Sequence, residues 1–85
     1  MTPSSSKNIH VQYFALLREE RGCSQETLTT TASTLSKFYE ELQGKYKLSL
    51  SPALLRVAVN DQFQSWDKEL AHNDTVVFIP PVAGG

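Results

Sequence analysis

Hydrophobic and polar residues alternate near the start of the chain, and this alternation predicts a strand. Ile9, Val11 and Tyr13 are each separated by one residue, which is the period of a strand with a single apolar face. Phe14 falls on the opposite face of the same strand. We therefore expect one large aromatic side chain to lie near the surface, away from the core.

A short helix and a second strand follow. Residues 15–21 are mostly strong helix formers, and Gly22 can take the left-handed conformation that ends a helix. The segment 27–31 is rich in β-branched threonine and predicts a strand. Because only a short helix separates the two strands, we expect them to pair as antiparallel neighbours.

The main helix has the clearest pattern. Apolar residues recur at positions i, i+3, i+4, i+7 and i+11, which places them on one helical face that packs in the core: Leu35, Phe38, Tyr39, Leu42 and Tyr46. Ser33 or Thr34 can cap its N-terminus, since a hydroxyl accepts a hydrogen bond from an unpaired backbone N–H. Gly44 either ends the helix or lies in its last turn, and residues 49–52 are expected to form a loop.

A hairpin is predicted after this loop. Residues 55–59 alternate as a third strand, and 62–64 return as a short fourth strand. Asn60 and Asp61 between them suit a two-residue turn, because both side chains tolerate positive φ. Trp66 is expected to anchor the following segment to the core, together with Leu70.

The last strand, 75–80, follows a turn at 72–74 and is apolar on both faces. Alternation assigns two residues to each face: Val76 and Phe78 to one, Val77 and Ile79 to the other. A strand of this kind is central in its sheet or carries a surface patch. The predicted fold is therefore an α+β domain of two layers, a mixed sheet of about five strands packed on one main helix, with a second, short helix.

Composition and charge restrict the function. The 85 residues suit a single domain, and the net charge of -1 gives no reason to expect binding to nucleic acid or to an anionic membrane. No apolar run is long enough to span a bilayer.

Residues 1–8 are expected to be a disordered leader, and they lack the apolar core of a signal peptide. The one cysteine, Cys23, excludes an internal disulfide framework and favours the reducing cytoplasm.

The body of the chain offers no catalytic arrangement. His10 and His72 are far apart in the sequence, and no cysteines or histidines have the spacing of metal ligands. Cys23 lacks an evident activating partner and is interpreted as a packing or surface residue. Adjacent glutamates point away from each other on a helix, so Glu19-Glu20 and Glu40-Glu41 are interpreted as solvated. We expect no metal and no cofactor bound by this chain.

The chemistry is expected at the end of the sequence instead. Pro80 and Pro81 remove two backbone donors, so the chain has to leave the sheet there. Gly84 and Gly85 follow with almost no cross-section and can thread a narrow channel of another protein. A terminal carboxylate is ionised at neutral pH and is a poor electrophile, so it has to be activated before acyl transfer. The pattern predicts a partner enzyme that uses ATP.

Several stretches together resemble the molybdopterin synthase small subunits, the MoaD-type sulfur carriers with the ubiquitin-like β-grasp fold. The matching stretches are Tyr13-Phe14-Ala15 with Arg18-Glu19, Ala58-Val59-Asn60, Leu70 with Asp74, and the final run from Val76 to Gly85. The final run, a strand leading into Pro-Pro-Val-Ala-Gly-Gly, is the most specific of them. The resemblance implies a β-grasp domain over 9–81 and a flexible tail over 82–85.

This resemblance implies a function without an active site in the chain itself. An E1-like adenylyltransferase would activate the Gly85 carboxylate with ATP, and a persulfide-derived sulfur would turn it into a thiocarboxylate. The tail would then enter the large synthase subunit, which binds the pterin, and donate sulfur to cyclic pyranopterin monophosphate to build the molybdopterin dithiolene. The implied assembly is a heterotetramer in which this chain is the non-catalytic sulfur-donor subunit.

The resemblance also implies a partner-binding surface beside the tail. Its expected members are exposed side chains and the tail residues before the glycines: Phe14, Arg18, Phe63, Phe78, Pro80, Pro81, Val82 and Ala83. The sequence departs from the family where Asn73-Asp74 replaces the usual Gly-Asp. Asparagine also tolerates the left-handed conformation, so we expect the turn to be retained.

Three alternatives remain open at this point. The first is a sulfur carrier for thiamine or tRNA thiolation, although those relatives usually lack Pro-Pro-Val before the glycines. The second is a ubiquitin-like protein modifier joined through Gly85 to a lysine. The third is a β-grasp interaction module whose tail has no chemical role.

Overall fold

The computed structural model describes residues 6–81. In chain order its elements are β1 Lys7–Tyr13, α1 Ala15–Arg21, β2 Gln25–Thr30, α2 Leu35–Tyr46, a 3₁₀ helix Pro52–Leu54, β3 Arg56–Val59, β4 Gln62–Gln64 and β5 Thr75–Ile79. The predicted helices and strands are confirmed, and the 3₁₀ helix is an element that the sequence pattern did not predict.

All the strands belong to one mixed sheet in the order β2-β1-β5-β3-β4. The central strand β5 pairs in parallel with β1 and antiparallel with β3, and the two hairpins β1–β2 and β3–β4 flank it. Helix α2 connects the hairpins and contributes its apolar face to the core. This arrangement is the expected ubiquitin-like β-grasp fold, and the central position of β5 explains why that strand is apolar on both faces.

Local sequence sets the ends of both α-helices. Gly22 ends α1 with a φ of 87°, and its N–H donates to the Arg18 carbonyl at 2.9 Å. The Thr34 hydroxyl caps α2 by accepting from the Lys37 N–H at 3.3 Å. Helix α2 continues past Gly44 to Tyr46. Neither α-helix in the described part of the chain is long and apolar enough to cross a membrane.

The first strand begins earlier than the leader boundary predicts. Lys7 and Asn8 already belong to β1, where they pair with Thr30 and Thr29 of β2. The expectation that the leader extends to residue 8 is therefore wrong at these two positions. Strand pairing uses backbone groups, so polar side chains do not prevent it, and the hydrophobic pattern alone underestimates the length of the strand. Residues 1–5 lie outside the described residues.

The core lies between α2 and one face of the sheet, and Phe78 is at its centre. Phe78 is 0% exposed. Its ring centroid lies 5.0 Å from that of Tyr39 and within 6.1–6.4 Å of three more aromatic rings, those of Tyr13, Phe38 and Trp66. The expectation that Phe78 belongs to an exposed docking surface is therefore wrong, because this side of β5 faces the helix.

Candidate functional site

The candidate site begins where β5 leaves the sheet. Pairing on both sides of β5 extends as far as Phe78 with β1 and Ile79 with β3. Pro80 is partly buried and Pro81 is exposed, and neither has an N–H with which to continue the ladder. The remaining predicted site residues, Val82, Ala83, Gly84 and Gly85, lie outside the described residues.

A hydrogen-bonded clasp holds the start of β5. The buried Asp74 carboxylate accepts from the Asn60 side-chain amide at 3.0 Å and from the Ala71 N–H at 2.8 Å. Asn60 also accepts from the Thr75 N–H at 3.0 Å, and its own N–H donates to the Thr75 carbonyl at 2.9 Å. The β3–β4 turn is thereby tied to the first residue of β5, which fixes the register of the strand.

The turns on both sides of this clasp use the left-handed conformation. Asn60 and Asp61 have φ values of 52° and 71°, as expected for a two-residue hairpin turn of the I′ type. Asn73 has a φ of 71°, and its N–H donates to the Asn8 carbonyl at 2.8 Å. Asn73 therefore takes the left-handed conformation in the turn before β5, and the turn is retained as expected.

The sheet face opposite α2, which we call the outer face, carries an apolar patch beside the exit of β5. Phe14 directly follows the Tyr13–Phe78 pair on the β1 side with an extended backbone, and Ile79 follows that pair on the β5 side, so both residues lie at this end of the outer face. Val77, Ala58 and Phe63 form the neighbouring row across β5, β3 and β4. We call Phe14, Ile79, Val77, Ala58 and Phe63 the outer patch.

Two aromatic residues dominate the exposed area of the outer patch. Phe14 is 47% exposed and Phe63 is 66% exposed, so both predicted docking residues lie on the surface. They lie on opposite sides of β5 and β3, three strand spacings apart, which is roughly 14 Å across the sheet at about 4.8 Å per spacing. Two large exposed aromatic side chains on one apolar face indicate a binding surface for another protein.

Sequence reasoning did not assign Ile79, Val77 or Ala58 to this patch, and Ile79 is the most informative of these omissions. It occupies the position that had been expected of Phe78, one residue further along the strand and on the other face. Alternation gives Phe78 the same face as Val76, and both are fully buried. The signal for the correct assignment was present in the period of β5, but the choice of face needed the pairing with β1 and β3.

Arg18 is exposed on helix α1, so it is not one of the strand residues that form the outer face of the sheet. Leu16 of the same helix is 42% exposed, and Leu54 of the 3₁₀ helix before β3 is 55% exposed. These two leucines were not predicted as surface residues. They add apolar area outside the five strands.

An ion pair stabilises the strand that leads to Phe14. Arg21 donates two hydrogen bonds to the Glu26 carboxylate at 2.6 Å each, and the Tyr13 hydroxyl donates to it at 2.7 Å. Burial raises the pKa of Glu26, but the hydrogen bonds from Arg21 and Tyr13 outweigh this effect and keep that pKa below its ordinary value. The Arg21 guanidinium also stacks on the Tyr46 ring at 3.8 Å, so the network joins α1, β2, β1 and α2.

The described residues contain no arrangement for catalysis or metal binding. Within 6–81, no three His, Cys, Asp or Glu residues are grouped as metal ligands. Cys23 is a free, partly buried thiol packed against the core. A shallow cavity of about 320 Å³ lies on the outer face, and it is lined mainly by neutral polar groups, among them His10, whose Nδ1 lies 2.9 Å from the Thr27 hydroxyl.

Comparison with known proteins places this geometry in a family. The chain is 31% identical over 80 residues to the molybdopterin synthase sulfur carrier subunit of Escherichia coli, covering 91% of this chain and 99% of that protein. It is 25% identical to a protein in the complex of subunits 1 and 2 of the molybdopterin-converting factor from Helicobacter pylori, with a TM-score of 0.62, covering 92% of this chain and 99% of that one.

A third similarity concerns the fold alone. The small archaeal modifier protein 1 of Methanosarcina acetivorans superposes with a TM-score of 0.74 at 20% identity, covering 94% of this chain and 98% of that one.

A sequence model of the ThiS family matches residues 11–85, from the middle of β1 through the Gly-Gly pair. Since this match includes most of the β-grasp domain and the whole final run, the chain belongs to the ThiS family.

Proposed function

We propose that this chain is the sulfur carrier subunit of a molybdopterin synthase and that its Gly85 carboxylate carries the sulfur. The observation that supports this most is the similarity to the E. coli sulfur carrier subunit, which extends over nearly the whole length of both chains. The geometry agrees with it, because two prolines follow the end of β5 beside an exposed apolar patch. The proposal takes Gly85 as the last residue of the protein.

The first reaction activates the carboxylate. An oxygen of Gly85 attacks the α-phosphorus of ATP on an E1-like enzyme, which forms an acyl-adenylate and releases pyrophosphate. The terminal sulfur of a persulfide then attacks the acyl carbon, and AMP leaves with the electron pair of the broken C–O bond. A thiol reductant cleaves the resulting acyl disulfide and leaves a thiocarboxylate on Gly85. Glycine suits this step because no Cβ hinders attack on the acyl carbon.

The second reaction transfers the sulfur. The thiocarboxylate sulfur attacks a side-chain carbon of cyclic pyranopterin monophosphate, and the oxygen on that carbon leaves, as water or as the phosphate oxygen. Water then hydrolyses the thioester, which leaves the sulfur on the pterin and regenerates the Gly85 carboxylate. Two such transfers build a dithiolene. The pterin is bound by the large subunit, ATP by the activating enzyme, and this chain binds no cofactor. In this proposal the chain is a subunit of a cytoplasmic sulfurtransferase, a heterotetramer with the large subunit at its centre.

The outer patch is the surface we assign to the large subunit. Phe14 and Phe63 provide its exposed aromatic area, with Ile79 at the base of the tail. Arg18 is exposed on α1, outside the outer patch, and has no ion pair within residues 6–81; we retain it as a further contact of the large subunit. In the sequence, Pro80, Pro81, Val82 and Ala83 connect Ile79 to the reactive glycines. Docking of the domain would thereby direct the tail into the partner's active site.

An intact-mass experiment tests the proposal. The purified chain is incubated with its E1-like enzyme, ATP and a persulfide source. We expect a mass increase equal to the replacement of one oxygen by sulfur at Gly85, and no change under these conditions would contradict a carrier function. Addition of the large subunit and the pterin precursor is then expected to yield molybdopterin. Failure of this second step after successful loading would favour a carrier for thiamine or tRNA thiolation, and an isopeptide with a lysine would favour a protein modifier.

Deletion of Gly85 tests whether the tail serves sulfur loading or the stability of the fold. We expect the shortened chain to lose sulfur loading completely, because the carboxylate moves to Gly84 and is one residue too short for the activating site. The thermal midpoint should be nearly unchanged, since the sheet pairing ends at Ile79. A large loss of stability would mean that the tail has a structural role.

A further inference from the structure

The outer face of the sheet is almost free of charge. Alternate residues of the five strands form this face, and Arg56 is the one Lys, Arg, Asp or Glu among them within residues 6–81. The other members are apolar or neutral polar side chains, and the whole chain has a net charge of -1. Arg56 is therefore an isolated cation on a neutral face and does not belong to a general basic surface.

The position of Arg56 connects it to the exit of the tail. Arg56 pairs with Ile79, the last residue of β5, so their Cα atoms are roughly 5 Å apart. On the other side, Phe63 is its diagonal neighbour across the β3–β4 pair. The guanidinium thus borders the outer patch on two sides, next to the strand that leads into Pro80.

Within residues 6–81, Arg56 has no partner for its charge. The side chain is exposed, and among the described residues the ion pair that forms is that of Arg21 with Glu26. No carboxylate or carbonyl of residues 6–81 accepts a hydrogen bond from its guanidinium. Its exposure leaves the guanidinium accessible to water, and a partner that covers the outer patch would remove that water.

The cost of desolvation then determines what the partner must present. A guanidinium buried at an apolar interface without a counter-ion weakens binding strongly, whereas a carboxylate in bidentate geometry compensates for the lost water. Since Arg56 lies beside the exit of the tail, a partner that receives the tail cannot avoid covering it. A matched carboxylate would therefore be required for tight docking.

We propose that the large subunit places a carboxylate against Arg56 and that this pair selects the large subunit as the docking partner. The inference rests on the proposed function and makes it more specific, because it names the chemistry that the large subunit offers at the base of the tail. A partner surface that is apolar throughout, or basic, would be rejected at this position.

Calorimetric titration of the large subunit with variants of this chain tests the inference, at low and at high salt. We expect Arg56→Gln to raise Kd at least tenfold at low salt, the effect of removing one partner of a desolvated charge pair. The Kd of the unsubstituted chain should rise with salt, and that of Arg56→Gln should depend on salt much less. Arg56→Lys should restore part of the affinity, because the charge remains while the bidentate geometry is lost.

Lys37→Gln is the matched control. Lys37 is exposed on α2, which packs against the opposite face of the sheet, and its removal changes the net charge by the same amount. We expect its Kd to equal that of the unsubstituted chain. A loss of affinity as large as that of Arg56→Gln would mean that net charge alone matters, and it would overturn the inference.

Two further outcomes separate the inference from the proposed function. If Arg56→Gln binds the large subunit with the same Kd and the same salt dependence as the unsubstituted chain, the inference is wrong and the proposed function is unaffected. If the unsubstituted chain neither acquires sulfur with its activating enzyme nor binds the large subunit, the proposed function is wrong and the inference with it. Circular dichroism of Arg56→Gln and Arg56→Lys excludes unfolding as the cause of a lost affinity.

Discussion

The two faces of the sheet differ in how far their side chains have bonding and packing partners within the protein itself. On the core face the charged Glu26 is bonded to Arg21 and Tyr13, and Phe78 is surrounded by four aromatic rings. On the outer face Phe63 is 66% exposed, and Arg56 has no ion pair among the described residues. The difference indicates that one face holds the fold together, whereas the other has groups that another protein can satisfy.

A single strand, β5, contributes to both faces. Val76 and Phe78 are 0% exposed, whereas Val77 and Ile79 on the other side are partly buried. The clasp of Asp74 with Asn60 fixes the register of this strand and thereby decides which residues face outward. A slip of one residue would exchange the two faces, so the clasp preserves both the core and the outer patch.

The largest expected effect is on the core face. Phe78→Ala removes the ring on which four others pack, and we expect it to lower the free energy of unfolding by about 3–5 kcal/mol. Urea denaturation followed by circular dichroism measures this change. Phe78→Leu, which retains most of the volume, should cost clearly less. A change below about 1 kcal/mol for Phe78→Ala would contradict the central role of this ring.

The same type of substitution on the outer face should act on binding instead. We expect Phe63→Ala to weaken binding to the large subunit about thirtyfold, roughly 2 kcal/mol, as for an aromatic anchor of an interface. Its free energy of unfolding should change by less than about 1 kcal/mol, because the ring is mostly exposed. Titration calorimetry and urea denaturation measure the two quantities. Unaltered binding would exclude Phe63 from the interface.

A smaller effect is expected at the paired charge. Glu26→Gln weakens the bonds from Arg21 and Tyr13, and we expect a loss of about 1–2 kcal/mol in the free energy of unfolding at neutral pH. Because the folded-state pKa of Glu26 is lowered, its contribution is fully present above the ordinary value of 4.5 and is lost as the pH falls through the lowered pKa. The difference between variant and unsubstituted chain should therefore shrink on acidification, in denaturant titrations at several pH values. A difference that stays constant with pH would show that the charge of Glu26 is not involved.

The smallest effect is expected at the unpaired charge. Arg56→Gln removes an exposed side chain without an ion pair in the described structure, so the free energy of unfolding should change by less than about 0.5 kcal/mol. Thermal and urea denaturation measure it beside Glu26→Gln, which is also a charge-to-amide substitution. A loss as large as that of Glu26→Gln would mean that Arg56 stabilises the fold, and the contrast between the two faces would not hold for charged groups.

Much of the fold could be predicted because short-range patterns determine it. The five apolar residues of α2, the Thr34 cap and Gly22 at the end of α1 act within one or two turns of helix. Asn60 and Asp61 specify their hairpin turn through their own backbone preferences. The polar start of β1 and the 3₁₀ helix Pro52–Leu54 were missed, since pairing with β2 and local chain geometry, rather than hydrophobic periodicity, form them.

The residues of the candidate site also divide into those that the sequence predicts and those that only the structure places. The sequence by itself determined the run from Val76 to Gly85 and the exposed position of Phe14, since both follow from residue types and their order. It also determined that β5 is apolar on both faces, but not which face meets the helix. Only the tertiary structure decided that Phe78 is buried and that Ile79 and Arg56 lie together on the outer face. The physical reason is that a period of two assigns residues to opposite faces of a strand, whereas pairing with neighbouring strands and packing of a helix decide which of them is the inside.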